Sequence, residues 1–225
     1  FLKDRHLIFP FETPESVYDL KTFGKRFMGT DKKGKLWAEI VGTQLGMKAL
    51  REPEQRFKDG EILSFAGFRL LAIHAPGHLD DHYCFFELNT GILLTSDIDF
   101  SGFGPFYGQA ECDIALFKKA IKNVMQHPYN LLCSSHKNPF YGDVTHEFQK
   151  FLNGFDRHGR LISDICKTPH TIDEITEKSP LYLNKMPMKL FQETFERGMI
   201  SKSIDCMIKQ GVMTETPGGF LRKSD

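Results

Sequence analysis

The chain has 225 residues, which is enough for one medium-sized domain with a small additional module. Hydrophobic residues make up 40% of the sequence and charged residues 26%, as in ordinary globular proteins. Lys and Arg (29) balance Asp and Glu (29), so there is no bulk attraction to nucleic acid or to an anionic membrane.

The apolar residues and the cysteines narrow the class further. No apolar run approaches the roughly 20 residues of a membrane span. None of the five cysteines forms a CxxC pair, which argues against a zinc ribbon and against a redox pair. Five scattered thiols also fit a reducing compartment better than a disulfide framework. We therefore expect a reducing, cytoplasmic location and no membrane partner, and we expect the 21 phenylalanines to serve mainly in core packing.

The first fifty residues are predicted to be mostly helical, after an opening strand or loop. Thr13-Pro14-Glu15 is a helix-start signal, with a capping oxygen followed by proline and an acid, and it predicts a helix to about Met28. A polar turn is expected at 31–34, and a second helix at 36–50.

The next sixty residues are predicted to form strands. Asp59-Gly60 indicates a hairpin turn. Short β-branched or aromatic runs predict strands at 62–65, 68–73, 83–88 and 92–95, and an irregular Gly- and Phe-rich loop follows at 101–109.

The remainder returns to helix, with one more strand. Apolar periodicity predicts helices at 112–126 and 143–167, separated by a strand at 129–134. From residue 168 onwards the expected elements are a capping-box helix beginning at Thr171, helices at 187–197 and 201–210, and a hairpin at 212–222. Short helices followed by a hairpin are typical of a winged helix, so we predict two units, 1–167 and 168–225.

One turn concentrates side chains that bind metals. The run from Ile73 to His82 holds three histidines and two aspartates, and its Pro-Gly pair forces a turn after a strand. Imidazole is the commonest protein metal ligand near neutral pH. The alternative interpretation is a polar surface turn with incidental histidines.

The following strands favour the metal interpretation. The predicted strand at 92–95 runs into Asp97, and the strand at 129–134 runs into His136. With His78 in the turn, three successive strands therefore lead into potential ligands, and side chains at strand ends gather at one edge of an α/β sheet.

The order of these motifs resembles that of the metallo-β-lactamase superfamily: HxPGHxxxH, then a strand ending in Ser-Asp, then a strand ending in a histidine loop. The resemblance covers most of the chain. It implies the later half of an αββα sandwich, in which His78 binds the first metal ion, Asp97 bridges both, and His136 binds the second. A C-terminal winged-helix-like module also occurs in that superfamily.

The sequence lacks the superfamily's leading HxHxDH signature, which supplies two ligands to each ion. Residues 1–50 contain a single histidine, His6. Each ion would be left short of the roughly three protein ligands that a catalytic zinc site needs. We therefore expect a truncated or proteolysed piece, or one part of a split protein, that is inactive alone and exposes apolar sheet surface. A naturally short, metal-free relative is the alternative.

Four neighbouring residues are predicted to support the metal ligands or to contact the substrate. His82 and His74 are predicted to orient the metal ligands, although His82 would equally serve as a surface residue capping the next strand. Lys137 and Tyr107 are predicted to contact substrate. Lys137 stands next to His136, and Tyr107 belongs to the loop expected to line the cleft.

The leading functional hypothesis is a hydrolase with two divalent metal ions, of zinc, iron or manganese, acting on a small-molecule ester, thioester, amide or phosphoester. The first alternative is a winged helix that binds nucleic acid. Residues 151–225 carry 11 Lys and Arg against 10 Asp and Glu, which disfavours that role. A non-catalytic remnant kept for interaction is the second alternative. The expected partners are a second copy of the chain or the missing N-terminal segment.

Overall fold

The computed structural model describes residues 8–44, 46–49, 51–185 and 189–223. Its N-terminal part is a helical hairpin flanked by two short strands that pair in parallel. In chain order the elements are β1 (Ile8–Pro10), a 3-10 turn (Glu15–Tyr18), α1 (Leu20–Met28), α2 (Asp31–Gln44) and β2 (Gln55–Phe57).

The predicted boundaries of both N-terminal helices were wrong. The first α-helix begins at Leu20 and not at residue 15, because the Asp19 side chain accepts the Thr22 backbone N–H at 2.8 Å and caps it there. The expected turn at 31–34 is the first turn of α2. A Cβ on Gly34 would stand 2.4 Å from Lys25 N. This glycine therefore allows α1 and α2 to cross closely, and it does not mark a loop between helices. The helix also ends at Gln44, short of the expected residue 50.

Six further strands form one mixed sheet in the order β3-β4-β5-β6-β7-β8. All neighbours are antiparallel except β6 and β7, which are parallel. Their bounds are β3 (Ile62–Phe65), β4 (Phe68–His74), β5 (Tyr83–Glu87), β6 (Ile92–Ser96), β7 (Leu131–Ser134) and β8 (Phe140–Tyr141). The mixed α/β class is therefore as predicted. The Asp59-Gly60 turn exists, but it does not close a hairpin, because β2 pairs with β1 and β3 pairs with β4.

Two amphipathic helices, α3 (Ile114–Val124) and α4 (Thr145–Ile165), cover one face of this sheet. Their buried faces include Phe117 and Phe148, which belong to one cluster with Leu93 and Leu132 of the sheet. A smaller cluster around Phe57 covers part of the other face. At the sheet edge Ile62, Phe65 and Phe68 remain 44–49% exposed.

The C-terminal part comprises α5 (Ile172–Glu177), α6 (Lys189–Lys209) and a hairpin of β9 (Met213–Thr216) and β10 (Gly219–Arg222). The capping box at Thr171 and the hairpin are as predicted. The two helices expected at 187–197 and 201–210 are one continuous helix, and position 187 lies outside the described residues. The break was expected around Gly198, but that glycine lies inside the helix against the backbone of Gly108.

The large buried cluster continues across the predicted domain boundary and includes Ile175, Ile200 and Met213. The two-unit division therefore stays a prediction. No helix within the described ranges is both long and apolar enough to cross a membrane. All five cysteines are free thiols.

Candidate metal centre and cleft

The histidine-rich turn connects β4 to β5 and is pressed against the start of α3. Its backbone is closed by a hydrogen bond from Ala75 N to His82 O, at 2.9 Å. Gly77 has φ +118°, and a Cβ there would stand 2.2 Å from Phe117 N. The Asp113 N–H, at the cap of α3, donates to the Gly77 carbonyl at 3.0 Å. Glycine is therefore required at position 77 by both its backbone conformation and the space available.

His78 is the most buried of the three candidate ligands. It is 8% exposed, and its Nδ1 lies 3.0 Å from the carbonyl oxygen of Phe106. Because a carbonyl only accepts, Nδ1 carries the hydrogen, and the ring presents Nε2 to Asp97 Oδ2 at 3.4 Å. A backbone carbonyl on the far ring nitrogen is the usual way in which a metal-binding histidine is oriented.

Asp97 stands between two histidines. Its Oδ2 faces His78, and its Oδ1 lies 3.7 Å from His136 Nε2. Interaction with the His78 side chain lowers the pKa of Asp97 from 3.8 to about 2, against the opposing effect of its partial burial. The carboxylate is thus ionised at neutral pH, and each of its oxygens faces an imidazole nitrogen.

The local backbone brings the second histidine to this carboxylate. Strand β6 ends in Ser96, whose φ is +48°, and the register between β6 and β7 shifts between Leu94 and Ser96. The Ser135 N–H donates to Ser96 O at 3.0 Å, which ties the His136 loop to the strand that carries Asp97. His136 itself is largely exposed, with 65% of its side chain accessible.

His82 contacts the backbone of Asp97 rather than its carboxylate. Its Nδ1 donates to Ala75 O at 2.8 Å, and its Nε2 accepts the Asp97 N–H at 3.2 Å. This pair of bonds requires the neutral ring, and burial lowers the pKa of His82 to about 4. His82 therefore connects the backbone of the turn to the backbone of Asp97.

The other sequence-predicted residues do not line the cavity beside the candidate ligands. His74 Nε2 is 2.7 Å from Asp80 O, and the ring stacks on Tyr83, so it does not contact the three ligands. Tyr107 is fully buried, with its hydroxyl 2.9 Å from Ser203 Oγ, and it does not line the cleft as expected. Lys137 is exposed and also lies outside the cleft.

The donor set fits a divalent metal in kind, since two imidazole nitrogens and a carboxylate are ligands that zinc, iron and manganese accept. It does not amount to a complete site. Within the described ranges, no group of three or more His, Cys, Asp or Glu side chains is arranged closely enough to hold a metal ion. The three residues form two pairs that share Asp97, so each pair would need further ligands.

A cavity of about 620 Å³ opens beside these residues, and His78, Asp97, Asp99 and His136 line one end of it. Burial raises the pKa of Asp99, whose carboxylate also accepts the Ser101 N–H at 3.0 Å. The rest of the cavity has an aromatic wall, which consists of Phe23, Phe27, Phe103, Phe106, Tyr182 and Phe195. The sequence predicted that the loop holding Phe103 and Phe106 lines the cleft. It did not identify the other members of the wall, because they lie far apart in the chain and the phenylalanines were attributed to core packing.

Solved structures share this fold. A metallo-β-lactamase family protein from Thermus thermophilus superposes with a TM-score of 0.70 at 16% identity, covering 97% of this chain and 72% of that one. A β-lactamase domain protein from Burkholderia ambifaria gives a TM-score of 0.67 at 14% identity, covering 97% and 65%.

Among curated proteins, an atrochrysone carboxyl ACP thioesterase from Claviceps purpurea (strain 20.1) is 27% identical over 117 residues. The similar segment is 51% of this chain and 29% of that thioesterase. No protein-family model matches the chain.

Proposed function

Because the chain has the metallo-β-lactamase fold, we propose that it belongs to a metal-dependent hydrolase in which His78, Asp97 and His136 are ligands. The observation that carries the proposal is the position of Asp97, with one imidazole nitrogen facing each carboxylate oxygen at 3.4 and 3.7 Å. A carboxylate in that position suits a bridge between two ions. When bound, such ions would acidify a water molecule and polarise the substrate carbonyl.

The protein's own residues would orient this centre. The Phe106 carbonyl holds the His78 ring by Nδ1, which leaves Nε2 available as a donor to the metal. His82 fixes the backbone of Asp97. Asp99 lines the cleft near Asp97, and its carboxylate accepts the Ser101 N–H at 3.0 Å.

The three ligands are too few for two ions, so we propose that an upstream segment supplies the remaining ones. That segment would precede Phe1 in the same polypeptide or would be provided by a second chain. The gene sequence immediately upstream of Phe1 tests this directly: an HxHxDH run is the expected result. For the reaction we propose ester or thioester hydrolysis, which the partial similarity to a curated thioesterase supports. A cytoplasmic location is proposed on the five free thiols.

Metal binding provides the test of the proposed ligands. Full-length protein should hold about two transition-metal ions per chain by elemental analysis, and Asp97→Ala should abolish this, because both pairs depend on that carboxylate. Asp80→Ala is the matched control, since it removes an exposed carboxylate from the turn that carries His78. Full-length protein free of metal after purification in zinc, iron or manganese would contradict the proposal and leave the non-catalytic alternative.

A nucleic-acid role for the C-terminal part receives no support from its contacts. Helix α6 directs Lys202 Nζ to the Ala110 carbonyl at 2.7 Å, and its Phe195 packs against Phe106 with ring centroids 5.2 Å apart. Both contacts run to the main domain. This helix therefore helps to form the cleft.

A further inference from the structure

The aromatic wall of the cavity indicates which chemical class of substrate would bind there. We propose that the hydrolysed compound is a carboxylic ester or thioester with a bulky, uncharged, apolar acyl group, which packs against this wall while its carbonyl lies at Asp97. The inference rests on the proposed function for its reaction, but its binding component can be tested without turnover.

The wall is continuous from the candidate ligands outward. Phe106 contacts the His78 ring at a centroid distance of 5.8 Å, Phe195 contacts Phe106 at 5.2 Å, and Phe27 contacts Phe195 at 5.2 Å. Phe103 and Tyr182, which also line the cavity, have ring centroids 5.2 Å apart. An acyl chain that begins at Asp97 would therefore meet aromatic surface along its length.

The phenylalanines of the wall come from three separate parts of the chain. Phe27 is on α1, Phe103 and Phe106 are in the loop after β6, and Phe195 is on α6. Phe103 is 40% exposed, and the other three phenylalanines are half-buried, so their apolar faces are accessible from the cavity. Partly exposed aromatic surface gathered from distant segments into one concave site is typical of a ligand pocket.

The charges lining the cavity disfavour a strongly anionic group against the aromatic wall, away from the proposed metal ions. Among its described lining residues the charged side chains are the carboxylates Asp97 and Asp99, and neither Lys nor Arg is present. A phosphate or sulfate placed against the rings would lose its hydration without gaining a cationic partner. An uncharged acyl group loses nothing of this kind.

The size of the cavity disfavours very small acyl groups. About 620 Å³ is within the range of pockets that enclose drug-sized ligands. An acetyl group would leave most of the aromatic surface hydrated. Each added methylene that packs on the wall should raise kcat/KM by about fourfold until the wall is filled.

Hydrolysis of an acyl series tests the selectivity. Metal-loaded full-length protein would be assayed with acetyl, hexanoyl, decanoyl and phenylacetyl thioesters of N-acetylcysteamine, and with bis(p-nitrophenyl) phosphate. We expect kcat/KM to rise at least a hundredfold from acetyl to decanoyl. A flat or falling series, or a phosphoester as the best substrate, would overturn the inference. If no compound is hydrolysed by metal-bound protein, the proposed function fails and the binding experiment alone decides the apolar site.

Binding of a non-hydrolysable thioether, S-decyl-N-acetylcysteamine, gives a readout independent of activity. By calorimetry on the full-length protein, it should bind at least tenfold more tightly than the S-ethyl analogue, and Phe103→Ala should weaken it about tenfold. Phe65→Ala is the matched control, because Phe65 is similarly exposed at 49% but lies at the β3 edge. Equal binding of the two thioethers, or an unchanged affinity in Phe103→Ala, would refute the apolar site.

Discussion

His158 connects the cleft loop to the core in its neutral form. Its Nε2 donates to Phe103 O at 2.8 Å, and its Nδ1 accepts from the Tyr107 hydroxyl, 3.1 Å away. The Tyr107 hydroxyl in turn contacts Ser203 on α6. A protonated ring could not accept from the tyrosine, so acid should break this connection.

The pH dependence of stability follows from this arrangement. Burial lowers the pKa of His158 from 6.5 to about 4. Above pH 6.5 the ring is neutral in both the folded and the unfolded state, and its full contribution to the stability of the folded state is present. That contribution, at most about 3 kcal/mol, should be lost as the pH falls from 6.5 towards 4. Urea unfolding at pH 7.5 and pH 4.5 measures it. His158→Gln should be less stable at pH 7.5 yet lose less on acidification, and an identical loss in both proteins would contradict the assignment.

At the residue scale, the sequence was most informative where a strand runs directly into a polar side chain. His78, Asp97 and His136 were singled out by that rule, and the structure brings them together. The prediction that Tyr107 lines the cleft was wrong, because its loop has no periodicity from which the direction of a side chain can be inferred. In the structure it points into the core.

At the scale of the elements, helix α6 depends on a close approach of two backbones. A Cβ on Gly198 would stand 2.0 Å from the carbonyl oxygen of Gly108. This contact holds α6 against the loop that supplies Phe106 to the cleft. The sequence-based prediction ended one helix at 197 and began the next at 201, and the packing partner that keeps Gly198 inside a continuous helix is 90 residues away in the chain.

Gly198→Ala should therefore destabilise the protein by about 2 kcal/mol or more, since the helix or the loop must move. Gly159→Ala is the matched control, because it lies within α4 and a Cβ there meets nothing within 4 Å. That substitution should be neutral or stabilise by up to about 1 kcal/mol. Urea unfolding of both variants measures the difference, and equal free energies of unfolding would show that the close approach is unimportant.

The ends of the helices were harder to predict from the sequence than the ends of the strands. The polar run at 31–34 looked like a turn because its composition is that of a turn, whereas the contact between Gly24 and Gly34 made it the start of α2. Five of the six strands of the main sheet were placed to within about two residues, because β-branched and aromatic runs between turn residues are local signals. The two-residue strand β8 (Phe140–Tyr141) was not predicted.

At the scale of the whole molecule, one side chain joins two cores. Phe195 packs against both the large cluster and the small N-terminal cluster that contains Trp37. The N-terminal hairpin is also tied to the main domain by the ion pair of Arg26 with Glu111. The cleft therefore lies at the junction that couples these parts.

Unfolding should reflect this coupling. Trp37 is the single tryptophan, so its fluorescence reports on the N-terminal hairpin, whereas far-UV circular dichroism reports on the whole chain. The two thermal transitions should coincide in the natural protein. In Phe195→Ala the fluorescence transition should come several degrees earlier, while Phe65→Ala should leave the two coincident. Coincident transitions in Phe195→Ala would place the coupling elsewhere.

Gly77 bears on how relatives of this protein diverge. Its lack of a side chain is demanded by the backbone of α3 and by a φ of +118°, and not by any reacting group. A descendant that lost its histidines would still need that glycine in order to fold. We expect Pro-Gly to persist through drift and thus to mark shared ancestry, whereas the simultaneous presence of His78, Asp97 and His136 marks lineages still under selection for chemistry.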